Sequence, residues 1–320
     1  MQDKEKLREV KTRSCEETFI EGHHECEICY EGEADLHKHC VGCNKNPGHI
    51  NFTPVNDFNL DHLPFLYRDD NVFEVIKALS ALTVMIKVNY TSLERSESSQ
   101  YPFYNIRGSD VLRTGTGSLY RVYRRTESEG WRICSCGKCK NSDTPSKIWW
   151  VVTVMTASHV VFDQSEAEKT KCTLDIDDSK SSGVSLEGWD MWCNGEFYDR
   201  CELAYETCDE ALADQLDKKC QKFNDLCKIL KEKYPDDSLL IIVSHPHGCP
   251  EMVSIGQLIN EYNEHGWYQR TYTTSTCPGS SGAYVYRLGT YMWSLPHSGT
   301  KCGLNYSGKA LHNSYKNLMH

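Results

Sequence analysis

From residue 70 onward, short apolar runs alternate with polar breaks, and the spacing inside each run predicts its structure. Val72, Val75, Ile76 and Leu79 recur at three- and four-residue intervals, the period of a helix with one buried face. Leu82-Thr83-Val84-Met85-Ile86-Lys87-Val88 then reads as a buried strand. Gly115 and Gly117 open an alternating stretch up to Tyr123, which predicts another strand. Residues 147–155 form a long β-branched and aromatic run, a strand that ends just before Thr156-Ala157-Ser158-His159. Residues 202–234 carry the one long helical pattern, with Leu212, Leu216, Cys220, Phe223, Cys227 and Leu230 on a shared face. Further strands are predicted at 238–244, 266–274, 282–287 and 291–295, and a short helix at 308–318. Many short strands around one long helix suggest a mainly β chain of two Greek-key barrels joined by a linker.

The first fifty or so residues are polar, rich in Cys and His, and without apolar periodicity. Pro54 and Pro64 mark an irregular connector. The expected division is a Cys/His-rich module over 1–50, a connector and helix over 51–79, and the β domain over 80–320.

Composition narrows the class. The 320 residues are 39% hydrophobic and 25% charged, as in a soluble globular protein, and no apolar run approaches the ~20 residues of a membrane helix. Met1-Gln2-Asp3-Lys4-Glu5-Lys6 is charged and lacks the apolar core of a secretory signal. The expectation is therefore an intracellular protein, cytoplasmic or nuclear. A net charge of -10 argues against general nucleic-acid binding while leaving room for a local basic patch. Seventeen cysteines are many and odd in number, and outside a secretory context they read as thiols or zinc ligands rather than a disulfide framework.

Two fragments carry chemistry. Ser281 stands in Thr276-Cys277-Pro278-Gly279-Ser280-Ser281-Gly282-Ala283, and His159 ends the apolar strand 122 residues upstream. A serine hydroxyl needs an imidazole to take its proton before it attacks a carbonyl. Glycines beside it allow the tight turn that aims successive N–H groups at an oxyanion. Thr-Ala-x-His followed by Gly-x-Ser-Gly resembles the chymotrypsin-like serine proteases over residues 80–318. Leu239 to Gly248 with Val253-Ser254-Ile255-Gly256 is similar to a block of the glutamyl endopeptidases and the high-temperature-requirement proteases, as is Trp293 to Gly299.

That resemblance implies two six-stranded barrels with the active site between them, His159 as general base and Ser281 as nucleophile. Gly279 and Ser281 would supply the oxyanion N–H groups. The third member must be a carboxylate. Asp199, in Tyr198-Asp199-Arg200-Cys201-Glu202-Leu203, fits the family's pattern best, with Asp190 and the group Asp175, Asp177 and Asp178 as alternatives. Ser280 stands where the digestive enzymes have the aspartate that pairs with a new N-terminus, so that activation is not expected. Val160 stands where secreted members often carry a disulfide cysteine.

In this fold the pocket for the residue before the cut is lined by the segment preceding the serine and by a later strand. Ser275 occupies the position that holds an aspartate in trypsin-like enzymes, which argues against basic selectivity. Thr276, His297, Ser298 and Thr300 line the implied pocket, and Thr276, His297 and Thr300 match the set with which glutamyl endopeptidases bind a carboxylate. The competing reading makes His297 a buried structural histidine.

Cys26-Glu27-Ile28-Cys29 and Cys40-Val41-Gly42-Cys43 form a CxxC-x10-CxxC pattern with the spacing of a tetrahedral zinc site. His23, His24, His37, His39 and His49 are alternative ligands, and two disulfides or free thiols are the competing reading. Zinc would then be structural, supplying folding energy to a segment with few core residues. Cys134, Cys136 and Cys139 provide most of a second site, with Cys172 and Cys193 as candidates for the fourth ligand. Cys208, Cys220 and Cys227 are expected to pack as small apolar side chains.

The first functional expectation is an intracellular endopeptidase acting on peptide or protein substrates, with a zinc module that recruits a partner. The second is a silent protease scaffold whose zinc module binds a protein. A hydrogen-bonded Ser281–His159–Asp199 chain favours the first, and a blocked cleft favours the second.

Overall fold

The computed structural model describes residues 23–25, 27–98, 101–127, 133–176, 183–195, 199–264, 267–290 and 295–308. The segment before the main sheets contains β1 (His23–His24), β2 (Glu27–Cys29), α1 (Ala34–Val41) and β3 (Thr53–Pro54), and α2 (Asp70–Leu82) follows. Seven antiparallel strands come next: β4 (Thr83–Val88), β5 (Leu112–Thr126), β6 (Ile148–Thr156), β7 (Thr170–Leu174), β8 (Val184–Glu187), β9 (Asp190–Gly195) and β10 (Arg200–Thr207). Their order is β8-β7-β4-β5-β6-β10-β9, with the one-turn helix α3 (Gln164–Ala167) between β6 and β7.

A long helix, α4 (Glu210–Lys233), leads to the second sheet. This holds β11 (Leu239–Ser244), β12 (Met252–Glu264), β13 (Trp267–Tyr272), β14 (Val285–Arg287), β15 (His297–Lys301) and β16 (Leu304–Ser307). They run β15-β16-β13-β12-β11-β14, and an isolated bridge from Tyr284 to Pro296 links the two ends of that path. The chain is thus mainly β, with two curled antiparallel sheets.

Residues 23–54 do not form the separate module that the cysteine spacing suggests. Their strands are shared out: β1 pairs with β15, β2 with β5 and β3 with β12, and among the described residues each sheet then counts eight strands where six were expected. A polar segment without a core of its own satisfies its backbone groups at the sheets' edges instead.

The helical reading of 202–234 holds only from residue 210. Residues 201–207 pair with β6 in unbroken register from Cys201↔Thr156 to Thr207↔Trp150, and Asp209 then caps α4 by accepting from Leu212 N at 3.1 Å. Cys201 and Leu203 point into the core at strand spacing, a signal masked by the periodic stretch that follows. The predicted helix face on α2 is buried as expected. Val75 and Leu79 of α2, Leu216, Cys220 and Leu230 of α4, Val152 of β6 and Ile241 of β11 join one apolar cluster spanning both sheets. Among the described residues no helix is long and apolar enough to cross a membrane. The strand expected at 291–295 and the helix at 308–318 fall almost wholly outside the described residues.

A buried cluster of charges centres on Glu166 of α3. Glu166, fully enclosed, accepts from Arg95 Nε at 2.6 Å and Nη2 at 2.7 Å, from Arg113 Nη2 at 2.8 Å, and from the N–H groups of Ser92 and Phe162 at 2.9 and 3.0 Å. The arginines then donate to backbone carbonyls, Arg95 to His159 O at 3.0 Å and Arg113 to Val160 O at 2.8 Å. Burial acts to raise the Glu166 pKa, but Arg95 and Arg113 outweigh it and hold the carboxyl down at about 2. Its contribution to stability is therefore complete above the unfolded carboxyl value near ~4.3 and is lost as pH falls through about 2. Glu166→Gln leaves two buried guanidinium groups short of their counter-charge and should cost about 3–5 kcal/mol. Denaturant melts of the variant and parent at neutral pH give this difference directly, and an unchanged midpoint would refute it.

Candidate active site

Register explains how histidine and aspartate come together. Cys201 of β10 faces Thr156 of β6, so residues just before β10 fall beside those just after β6. His159 and Asp199 are those residues. Asp199 Oδ2 and Oδ1 lie 2.9 and 3.0 Å from His159 Nδ1, and Oδ1 also accepts from the His159 backbone N–H at 3.0 Å. Asp199 is buried, which raises its pKa. The facing His159 and His24 outweigh this and hold it at about 2. A carboxylate on Nδ1 fixes the proton there and leaves Nε2 to accept. Nε2 is buried and has no hydrogen-bond partner among the described residues. The alternative carboxylates lie elsewhere: Asp190 contacts Gln164 and Asp175 pairs with Lys219. Asp177 and Asp178 lie outside the described residues.

The serine turn is docked on β5. Thr116 donates its N–H to Ser281 O at 2.8 Å and its Oγ1 to Gly279 O at 2.8 Å, and the same Oγ1 accepts from His245 N at 3.0 Å. Gly282 adopts φ +90°, and a Cβ there would stand 2.1 Å from Thr116 O, so only glycine fits. Gly279 also has positive φ, at +91°. Ser280 is buried, its hydroxyl 3.0 Å from Ser244 Oγ. The Ser281 hydroxyl does not bond to His159; it donates to the backbone carbonyl of Glu25 at 2.8 Å.

Glu25 belongs to a segment that lies in the cleft. His23 and His24 pair antiparallel with Thr300 and Gly299 of β15. The His24 ring packs on His159 with centroids 4.3 Å apart, and its Nδ1 donates to Ser298 O at 3.2 Å. The Glu25 side chain enters the sequence-predicted pocket. Oε1 accepts from Thr300 Oγ1 at 2.8 Å and Thr276 Oγ1 at 3.2 Å, and Oε2 from His297 Nε2 at 3.1 Å. The Tyr272 hydroxyl lies 2.8 Å from His297 Nδ1, leaving Nε2–H to face the carboxylate. Burial, then the Lys45 cation, pushes His297 well below its ordinary pKa, so the donor is a neutral imidazole. Ser275 takes no part in these bonds.

Lys45 was not foreseen. Its Nζ forms an ion pair with Glu25 and donates to Thr276 Oγ1, Thr300 Oγ1 and Asn305 Oδ1 at 3.0, 2.8 and 3.0 Å. The pocket's cation thus comes from 231 to 260 residues away in sequence, from a stretch without periodicity.

The cysteines are grouped differently from the expected Cys26, Cys29, Cys40 and Cys43 set. Cys26 lies outside the described residues. Cys29 lies with Glu27 and His39, while Cys43 lies with His49, His247 and Cys277, whose ligand atoms are within 4.8 Å of one another. The reason is topological: β2 carries Cys29 onto β5, away from Cys43. In the four-residue cluster Cys43 and Cys277 sulfurs are 3.5 Å apart, and both His49 Nε2 and His247 Nε2 are buried without partners among the described residues. Asn46 donates to both sulfurs, by N–H at 3.4 Å and Nδ2 at 3.1 Å, and His247 Nδ1 lies 2.7 Å from Glu27 Oε2.

Cys134, Cys136 and Cys139 also cluster, and neither Cys172 nor Cys193 joins them: Cys172 is buried in β7 and Cys193 is exposed. Cys208 does, its sulfur 3.6 Å from that of Cys136. It precedes α4 rather than packing within its apolar face.

No protein-family model matches the chain, and no curated protein matches it. Among solved structures the chain is similar to HtrA/Deg-type serine proteases. Deg5 is 11% identical with a TM-score of 0.39, over 74% of this chain and 88% of that one. The active form of the Rv3671c protease from M. tuberculosis is 11% identical with a TM-score of 0.41, over 78% and 82%. The HtrA-type protease AlgW with a tripeptide is 8% identical with a TM-score of 0.40, over 74% and 58%. Likeness this loose assigns no role to any residue.

Thr116→Val keeps the shape of the side chain that seats the serine turn but removes its hydroxyl. The carbonyl of Gly279 and the N–H of His245 lose their partner, at about 1–3 kcal/mol for each group left unpaired. A urea midpoint equal to that of the parent would show that the turn does not depend on this residue.

Proposed function

We propose that the chain is a serine endopeptidase that cuts after glutamate, with Ser281 as nucleophile, His159 as base and Asp199 as its orienting carboxylate. One observation carries the reading. A peptide segment touches His159 with one residue and presents the next residue's carbonyl to Ser281 Oγ, while a neutral imidazole, two hydroxyls and an ammonium hold that residue's carboxylate. In the reaction Ser281 Oγ would attack the carbonyl carbon as its proton passes to His159 Nε2. Asp199 keeps the other ring proton on Nδ1 and offsets the imidazolium charge. The N–H groups of Gly279 and Ser281 are the candidate oxyanion donors. The acyl-enzyme then falls to water by the reverse proton path.

A specific observation favours the scaffold reading as well: the cleft is filled, and the serine hydroxyl bonds to Glu25 rather than to His159. The two readings part on the full chain carrying Glu25→Ala, which weakens the occupant. The enzyme reading expects fluorophosphonate to label Ser281 and glutamyl peptides to be cut in preference to Gln, Lys or Phe peptides. Ser281→Ala should abolish turnover, and Asp199→Asn should lower it about 10⁴-fold. With His297 already neutral, the preference for Glu should hold between about pH 6 and 8. No label and no cleavage would leave the scaffold.

Structural zinc completes the proposal. Thiolates at about 2.3 Å from a tetrahedral zinc stand roughly 3.8 Å apart, close to the sulfur spacings in both clusters. Cys43, His49, His247 and Cys277 offer two sulfurs and two unpartnered ring nitrogens, with Glu27 orienting His247 in the manner of an outer-shell carboxylate. Cys134, Cys136, Cys139 and Cys208 offer four thiols. Elemental analysis should find two zinc ions per chain. His49→Ala should remove one and Cys208→Ser the other, and a metal-free reduced protein with unchanged melting would overturn the assignment.

A further inference from the structure

We infer that the chain is its own substrate and cuts itself between Glu25 and Cys26. The inference rests on the protease reading and adds the identity of one target bond. The segment 23–25 is seated as a reacting peptide must be. It runs antiparallel to β15, and Gly299 makes this possible, since a Cβ there would come within 2.0 Å of His23 O. His24 covers the His159 ring, and its Nδ1 also stands 3.7 Å from Asp199 Oδ2. Glu25 is buried, its carboxylate satisfied on both oxygens. Beyond the cut, Glu27, Ile28 and Cys29 pair with Thr114, Arg113 and Leu112 of β5. The chain is therefore held on β15 before the bond and on β5 after it, and Ser281 Oγ donates to the carbonyl of the residue whose side chain fills the pocket.

The step balances without any group beyond solvent. Ser281 Oγ bonds to the Glu25 carbonyl carbon, and its proton passes to His159 Nε2 and on to the nitrogen of Cys26, which leaves as a new amino terminus. A water molecule then splits the ester, yielding the Glu25 α-carboxylate and restoring the serine. Residues 1–25 depart. Lys45, His49 and the strand β2 lie after the cut and stay with the enzyme, so the pocket keeps its cation. Because substrate and catalytic residues share one chain, the reaction is first order.

The test uses the full chain, followed by intact mass and amino-terminal sequencing. The wild type should lose its first 25 residues and read Cys26-Glu27-Ile28-Cys29, at a rate unchanged by dilution. Ser281→Ala should stay whole, and Glu25→Gln should slow the cut by roughly 10²-fold or more, since the pocket's donors lose their charged partner. The Glu25→Ala chain, offered an added His-His-Glu-Cys peptide, separates the two readings. Cleavage of that peptide while the wild type remains intact overturns self-processing and leaves the protease standing. Failure of both overturns both. A wild-type cut at any other bond, or a rate that rises with concentration, also overturns the inference.

Discussion

Thr116 is where the two halves of the molecule are held in register. Its N–H and Oγ1 seat the serine turn, its carbonyl accepts from Thr156 Oγ1 at 2.8 Å, and it is fully buried. One residue of β5 thereby ties the end of β6, which leads to His159, to the loop that carries Ser281. On the histidine side, the two arginines that Glu166 holds grip the carbonyls of His159 and Val160. His159 and Ser281 come from different sheets, so their relative position is only as firm as these polar contacts. Buried bonds of this kind are costly to break singly and hard to replace by packing.

Much of this was legible in the chain, for reasons that can be named. His159 and Ser281 stand in short contiguous motifs, and Asp199 could be ranked first because the polar-to-apolar switch at 199–203 is local. The pocket residues Thr276, His297 and Thr300 also lie in short runs near the serine. What escaped was long-range. Glu25 and Lys45 meet Thr276 and Thr300 across more than 200 residues of sequence, and no periodicity announces that meeting. The cysteine groupings are long-range in the same way: CxxC spacing describes a local turn, whereas Cys43 lies with His247 and Cys277. An eight-residue strand, Arg200–Thr207, runs almost directly into a 24-residue helix, and the longer period swamped the shorter.

The amino-terminal segment is structural as well as an occupant of the cleft. β1, β2 and β3 complete the edges of both sheets, and edges left bare invite foreign strands. Cys43 and His49 face His247 and Cys277, the latter two residues before Gly279, so the segment braces the very loop that presents the serine.

The hold on β2 has a kinetic meaning. Glu27 contacts His39 Nδ1 on one oxygen and His247 Nδ1 on the other, while its backbone pairs with Thr114. On the protease reading, a foreign peptide extending past Ser281 along β5 would compete with β2 for Thr114, Arg113 and Leu112. The rate at which such a peptide is accepted is then governed by how often β2 peels away, a local opening whose free energy is set by those anchors. Chemistry can be fast and throughput slow in the same molecule, with edge vacancy as the gate.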